Sequence, residues 1–101
     1  MHVHVAVFQW KPDVTRSQIE AALDLVRSVA NRVPGIVGIY CGTNTSKWAD
    51  QYMNSDVVVV VGKTAESIAD YRADAVHVEA AKLIEAMEAG GIGLDFVDNK
   101  S

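Results

Sequence analysis

The chain has 101 residues, the length of one domain, and half of them are hydrophobic. Nine basic against 13 acidic residues give a net charge of −4, which argues against a basic surface for nucleic acid or an anionic membrane. The longest strongly apolar run, residues 57–61, is too short to span a bilayer, and no export signal is visible. A single cysteine excludes an intrachain disulfide and fits a reducing compartment. We therefore expect one cytoplasmic domain over residues 1–101, with neither nucleic acid nor membrane as partner.

The first predicted strand covers residues 3–10. Apolar residues occupy both of its alternating faces, which is typical of a central strand that is covered on both sides. A helix is predicted to begin after Thr15, which forms a capping box with Gln18. Its apolar stripe continues to residue 33, and the Pro-Gly pair at 34–35 ends it.

Two further strands, residues 36–42 and 56–61, flank the longest predicted loop, residues 43–55. The third strand is an unbroken run of valines after Asp56, which indicates burial on both faces. A polar loop of this length is often a binding loop or a lid.

Two helices and one strand complete the chain. A short helix is predicted over about residues 64–71, and a longer one over 75–89 with Asp74 as its N-cap. We expect the glycine pair at 90–91 to stop this helix before a last strand at 92–97.

The resulting order, βαββααβ, predicts an α+β, ferredoxin-like protomer with a four-stranded antiparallel sheet and helices on one face. Helices would cover one sheet face only, yet the first and third strands are apolar on both. A second copy of the sheet, packed face to face, resolves this mismatch, so we expect a homodimer.

Four residues are candidates for chemistry, and no strong catalytic motif accompanies them. If the first and third strands are neighbours at the sheet centre, His4 and Asp56 would lie side by side beneath helices that carry Tyr71 and His77. Imidazole is the side chain best suited to moving protons near neutral pH. We expect these four residues to be catalytic, and four others to contact the ligand: Ala6, Phe8, Trp48 and Ile84.

Structural interpretations of the same residues stay open. A buried histidine is usually a satisfied core residue, Tyr71 fits a core or interface role, and Asp56 fits a loop cap. Cys41 fits a small packing residue, and Trp48 fits the dimer interface.

A metal site is a further alternative. His2 and His4 share a strand face, and His77 would be a third ligand. This spacing is a weak signal, and we expect neither a metal nor another cofactor.

Taken in order, these features resemble the stress-responsive dimeric α/β-barrel (Dabb) family over nearly the whole chain. The resemblance rests on His4 in an opening stretch that ends at Lys11, Pro34-Gly35 after the first helix, Gly42 at the end of the second strand, Asp56 before the valines, Tyr71 and His77 six residues apart, and the closing L-D-F-V at residues 94–97.

The resemblance implies a ferredoxin-like protomer and a dimer whose two sheets form a barrel. One family member, olivetolic acid cyclase, is a cofactor-free polyketide cyclase that uses a histidine and a tyrosine at the positions matching His77 and Tyr71. Further histidines of its pocket match His4 and Asp56. This chain departs from the family's H-P-x-H at residues 74–77, where it has D-A-V-H, and it has an aspartate at position 56.

Two functions remain. The first is a cofactor-free cyclase, lyase or isomerase acting on a keto or phenolic small molecule, with His77 as general base and Tyr71 as hydrogen-bond donor to the enolate. The second is a non-catalytic stress-response or ligand-binding dimer.

Overall fold

The computed structural model describes residues 1–100. It contains four strands and three helices: β1 (His2–Trp10), α1 (Arg16–Ser28), β2 (Ile36–Thr43), β3 (Ser55–Gly62), α2 (Ala65–Ala73), α3 (Ala75–Met87) and β4 (Glu88–Val97). Short 3-10 turns lie at Val29–Asn31 and Asp50–Tyr52. The strands form one antiparallel sheet in the order β2-β3-β1-β4, with the helices on one face. The ferredoxin-like prediction is confirmed, including the central position of β1 and β3.

Helix α1 begins where the capping box predicts. The Gln18 amide donates to Thr15 Oγ1 (3.2 Å), and the Thr15 amide donates to Gln18 Oε1 (2.9 Å). The apolar stripe of α1 is buried against the sheet through Ile19, Ala22, Leu23 and Val26. No helix among residues 1–100 is long and apolar enough to cross a bilayer.

The last strand begins earlier than expected. Helix α3 passes directly into β4 at Glu88, so the prediction that Gly90 and Gly91 stop the helix is wrong. Both glycines pair with β1, and Gly91 stands opposite Phe8. A Cβ at Gly91 would lie 2.6 Å from the Val7 carbonyl oxygen, so glycine is required here by the close approach of two strands.

The two faces of the sheet differ. Alternate residues of β1 and β3, among them Ala6 and Val58, are buried beneath the helices. The opposite face exposes large apolar side chains, namely Tyr40, Ile92, Leu94 and Phe96. A contiguous apolar face of this kind is typical of a protein–protein interface.

Candidate functional site

A cavity of about 520 Å³ lies between the sheet and the helices. Its volume is in the range of small-molecule sites. Six of the eight predicted site residues line it: His4, Ala6, Phe8, Tyr71, His77 and Ile84. The remaining lining residues are Val26, Val58, Ala81, Glu85, Glu88, Gly91, Ile92 and Gly93.

The space exists because β4 places glycines beneath the helices. Alternate residues of a strand share a face, and the helix-side positions here are Gly91, Gly93 and Asp95. They stand opposite Phe8, Ala6 and His4, respectively. Two of the three positions therefore have no side chain to fill the volume under α3. In the sequence this space is indicated by the run G-G-I-G at residues 90–93. The prediction that the first two glycines end α3 hid that meaning.

His77 lies in the first turn of α3, with its ring tied to the end of α2. Its Nδ1 is 3.0 Å from the Arg72 carbonyl oxygen. A carbonyl only accepts, so Nδ1 carries the proton and Nε2 keeps its lone pair. Burial lowers the pKa of His77, although the bond to the Arg72 carbonyl opposes this shift. At neutral pH His77 is therefore an uncharged imidazole with a basic Nε2.

Tyr71 packs between the two histidines. Its ring centroid lies 4.4 Å from that of His77 and 6.3 Å from that of His4. The residue is only 3% exposed, and among residues 1–100 its hydroxyl has no hydrogen-bond partner. Burial raises the pKa of Tyr71 well above its usual value, so the phenol stays protonated. The Tyr71 hydroxyl is therefore a hydrogen-bond donor available to a ligand in the cavity.

The carboxylate beside His4 belongs to Asp95. His4 Nδ1 lies 2.7 Å from Asp95 Oδ1, and the Arg72 guanidinium donates to both Asp95 oxygens at 3.0 Å. The hydrogen bonds from Arg72 and His4 keep the pKa of Asp95 below its usual range. Asp95 therefore holds the His4 ring through Nδ1 and leaves Nε2 free.

Asp56 lies elsewhere, and the prediction that it neighbours His4 is wrong. In the antiparallel register His4 pairs with Val60, whereas Asp56 pairs with Phe8. The partners of the two residues on β3 are four positions apart, roughly 13 Å along the strand. Asp56 does not line the cavity.

The Asp56 carboxylate is instead fully buried in a polar cluster. Arg16 donates to both of its oxygens (2.8 and 2.7 Å), Trp10 Nε1 donates to Oδ1 (2.9 Å), and the Thr43 hydroxyl approaches Oδ2 (3.4 Å). Burial alone raises the pKa of Asp56, but the bonds from Arg16 and Trp10 outweigh it and lower the pKa. This arrangement joins β3 to β1 and α1.

Three other candidates lie outside the cavity. Trp48, in the loop between β2 and β3, is 97% exposed. His2 lines a smaller cavity of about 260 Å³, and residues 1–100 contain no group of three metal-ligating side chains arranged to hold an ion. Cys41 is half-buried, and burial raises its thiol pKa, which fits its packing role.

Replacing Gly93 by valine is expected to fill part of the cavity without disturbing the fold. A Cβ at Gly93 meets only His4 Cε1, at an ordinary 3.8 Å, and valine favours strands. Titration calorimetry with an aryl ketone should show binding weakened at least about tenfold, with the melting temperature changed by less than about 4 °C. The matched Gly91→Val change should lower the melting temperature clearly. Wild-type affinity in Gly93→Val would contradict the cavity as the binding site.

Comparison with known proteins places the whole fold in one family. A model of the stress responsive A/B barrel domain matches residues 3–98. No curated protein matches the sequence significantly.

Several solved structures share the fold. A protein of Arabidopsis thaliana is 18% identical, with a TM-score of 0.84 over 100% of this chain and 98% of its own. A dimeric ferredoxin-like protein of unknown function from Thermobifida fusca is 22% identical, with a TM-score of 0.82 over 96% and 90%. The hydroxynitrile lyase of Passiflora edulis is 14% identical, with a TM-score of 0.83 over 99% and 94%. At these identities the likeness establishes the fold.

Proposed function

This chain belongs to the stress responsive A/B barrel domain family, and from that premise we propose that it is a homodimeric acid–base enzyme. It acts on a keto or phenolic small molecule without a cofactor, as a cyclase, lyase or isomerase. One observation carries the proposal: an uncharged imidazole, His77, and an unpartnered phenol, Tyr71, pack against each other in one cavity. A lyase with the same fold, from Passiflora edulis, supports it.

The proposed reaction begins with proton abstraction. His77 Nε2 takes a proton from the carbon next to a carbonyl, and the Tyr71 hydroxyl donates a hydrogen bond to the oxygen that becomes the enolate. The enolate carbon then attacks a second carbonyl of the same molecule, or is protonated at another position. In a cyclisation, the proton held by His77 is returned to the new oxyanion, directly or through His4 Nε2.

Hydrogen exchange tests this proposal without knowledge of the natural substrate. The protein is incubated in D₂O with a panel of β-diketones and aryl ketones, and deuterium at the α-carbon is followed by NMR. We expect exchange above the buffer rate for at least one compound that binds the cavity. Binding without any accelerated exchange would contradict the proposed enzymatic activity and favour a non-catalytic, ligand-binding dimer.

The pH dependence of the exchange should report the neutral His77. Because burial lowers the pKa of this imidazole, its basic form persists below the ordinary value of about 6.5. We expect the rate to be constant near pH 7 and to fall with a midpoint below that ordinary value. Rates measured from about pH 5 to 8, with folding checked by circular dichroism, test this. A midpoint at or above 6.5 would contradict His77 as the base.

The exposed sheet face supports the homodimer. Leu94 is 57% exposed on this face, and the Thermobifida fusca relative is described as dimeric. We expect wild type to be a dimer by light scattering, and Leu94→Asp to be monomeric because the charge would be buried in the interface. Leu83, which is 44% exposed on α3, provides the matched control, and Leu83→Asp should stay dimeric. A monomeric wild type at micromolar concentration would contradict the proposed assembly.

A further inference from the structure

Two carboxylates line the cavity away from the imidazole end. Glu85 lies in the last turn of α3, and Glu88 follows directly after the helix. Glu85 lies eight positions after His77, which corresponds to about 12 Å along the helix axis. Apolar side chains, including Phe8 and Ile84, also line the cavity.

Neither carboxylate is neutralised by the protein. Among residues 1–100, Glu85 and Glu88 have no hydrogen-bond or ion-pair partner, and no lysine or arginine lines the cavity. The Lys11 ammonium lies at the same end of α3 but donates to the Ala86 carbonyl (Nζ–O 3.1 Å). Glu85 is exposed and Glu88 half-buried, so this end of the cavity carries two carboxylates with no directly paired cation.

The position of these glutamates does not benefit the helix. A helix C-terminus carries partial negative charge and favours lysine or arginine, yet α3 has no basic residue in its last turn. Glu85 therefore adds negative charge where the fold already has an excess. Such a placement is understandable if the charge serves a ligand.

A second observation points to a ligand in the same cavity. The Tyr71 hydroxyl has no hydrogen-bond partner on a residue that is only 3% exposed. Every fully enclosed side-chain nitrogen or oxygen among residues 1–100 is hydrogen-bonded, so this oxygen is open to the cavity. His77 lies in the first turn of α3 and Tyr71 in the last turn of α2, with their rings in contact. The cavity is thus polarised along its length, with a donor at one end and two acceptors at the other.

We infer that the substrate is an amine-bearing ketone or phenol, whose cationic nitrogen is selected by Glu85 and Glu88. The inference rests on the proposed function, because the polarity orients the reacting carbonyl towards Tyr71 and His77. A ligand with a carboxylate or phosphate at its far end is repelled by the same pair. Glu85 and Glu88 are specificity-determining residues that touch the substrate remote from its reacting carbon.

Three matched probes test the charge selection. Each is an aryl methyl ketone with a para substituent of similar length: an aminopropyl, a hydroxypropyl or a carboxyethyl group. By titration calorimetry at low salt, we expect the amine to bind about tenfold more tightly than the carboxylate, with the alcohol between them. The preference should weaken as salt is added.

Substitutions assign the selection to the two glutamates. The double variant Glu85→Gln/Glu88→Gln should bring the amine and carboxylate probes to within about threefold of each other. Glu79→Gln, on the same helix but outside the cavity lining, should leave the preference unchanged. The inference is overturned if the carboxylate binds as tightly as the amine, if the double variant keeps the preference, or if none of the probes binds.

The same probes separate this inference from the proposed function. Selective binding of the amine probe without α-proton exchange would support charge selection by the two glutamates and contradict the proposed enzymatic activity. Exchange of all three probes with equal Michaelis constants would support the enzyme and contradict the charge selection.

Discussion

Replacing His77 by phenylalanine is expected to lower the rate of α-proton exchange by a factor of about 10² to 10⁴. Phenylalanine keeps a planar ring against Tyr71 but has no Nε2 to accept the proton. The rate is measured in D₂O with the ketone that wild type exchanges fastest. His2→Phe provides the matched control, because His2 lies outside the cavity, and its rate should equal that of wild type. Full activity in His77→Phe would end the assignment of this residue as the base.

Tyr71→Phe separates chemistry from folding in the same assay. The hydroxyl bonds to no protein group among residues 1–100, so its removal should leave the melting temperature nearly unchanged. The exchange rate should still fall by a factor of about 10² because the enolate loses its donor. His77→Phe additionally loses the bond to the Arg72 carbonyl, which costs about 1 kcal/mol, or roughly 4–8 °C in melting temperature. Equal rates in Tyr71→Phe and wild type would remove the phenol from the mechanism.

Helical spacing and the central strand were enough to predict the imidazole end of the site. His77 and Ile84 share one face of α3, and His4 shares a face of β1 with Phe8, so both sets point into the space between the layers. These relations are local, and local periodicity is what a sequence encodes most directly. Of the two cavity-lining glutamates, Glu85 lies one position beyond Ile84, which periodicity alone does not distinguish from a solvated helix edge, and Glu88 lies past the end of α3.

The partner of His4 could not be predicted, because it depends on strand register. A strand that slides by an even number of residues keeps the same side chains on the same face, so the hydrophobic pattern does not specify which residue stands opposite His4. The register of β1 with β4 brings Asp95 to His4, while that of β1 with β3 places Asp56 opposite Phe8. The predicted neighbour of His4, Asp56, is therefore wrong, and the carboxylate beside His4 is that of Asp95 on β4.

Asp56 is expected to contribute to stability. The Asp56→Asn side chain has one oxygen where aspartate has two. Arg16 and the buried Trp10 Nε1 then compete for that oxygen, and the new amide group faces the Arg16 guanidinium. Arg16 is half-exposed and regains some hydration, which limits the cost. We expect the free energy of unfolding to fall by about 2–4 kcal/mol and the melting temperature by roughly 10–30 °C. Denaturant unfolding measures the free energy. Asp24→Asn, which removes an exposed partner of Arg27, should cost less than about 1 kcal/mol.

The difference between wild type and Asp56→Asn should depend on pH. The folded-state pKa of Asp56 lies below its unfolded value of about 3.9, so the ionised carboxylate stabilises the fold fully above that value. The stabilisation is lost as the pH falls through the folded-state pKa, where wild type also carries a neutral side chain. The gap in unfolding free energy should therefore be constant from about pH 5 to 7 and should narrow below about pH 4. A gap that stays constant into acid would mean that the shape of the aspartate, and not its charge, holds Arg16 and Trp10 in place.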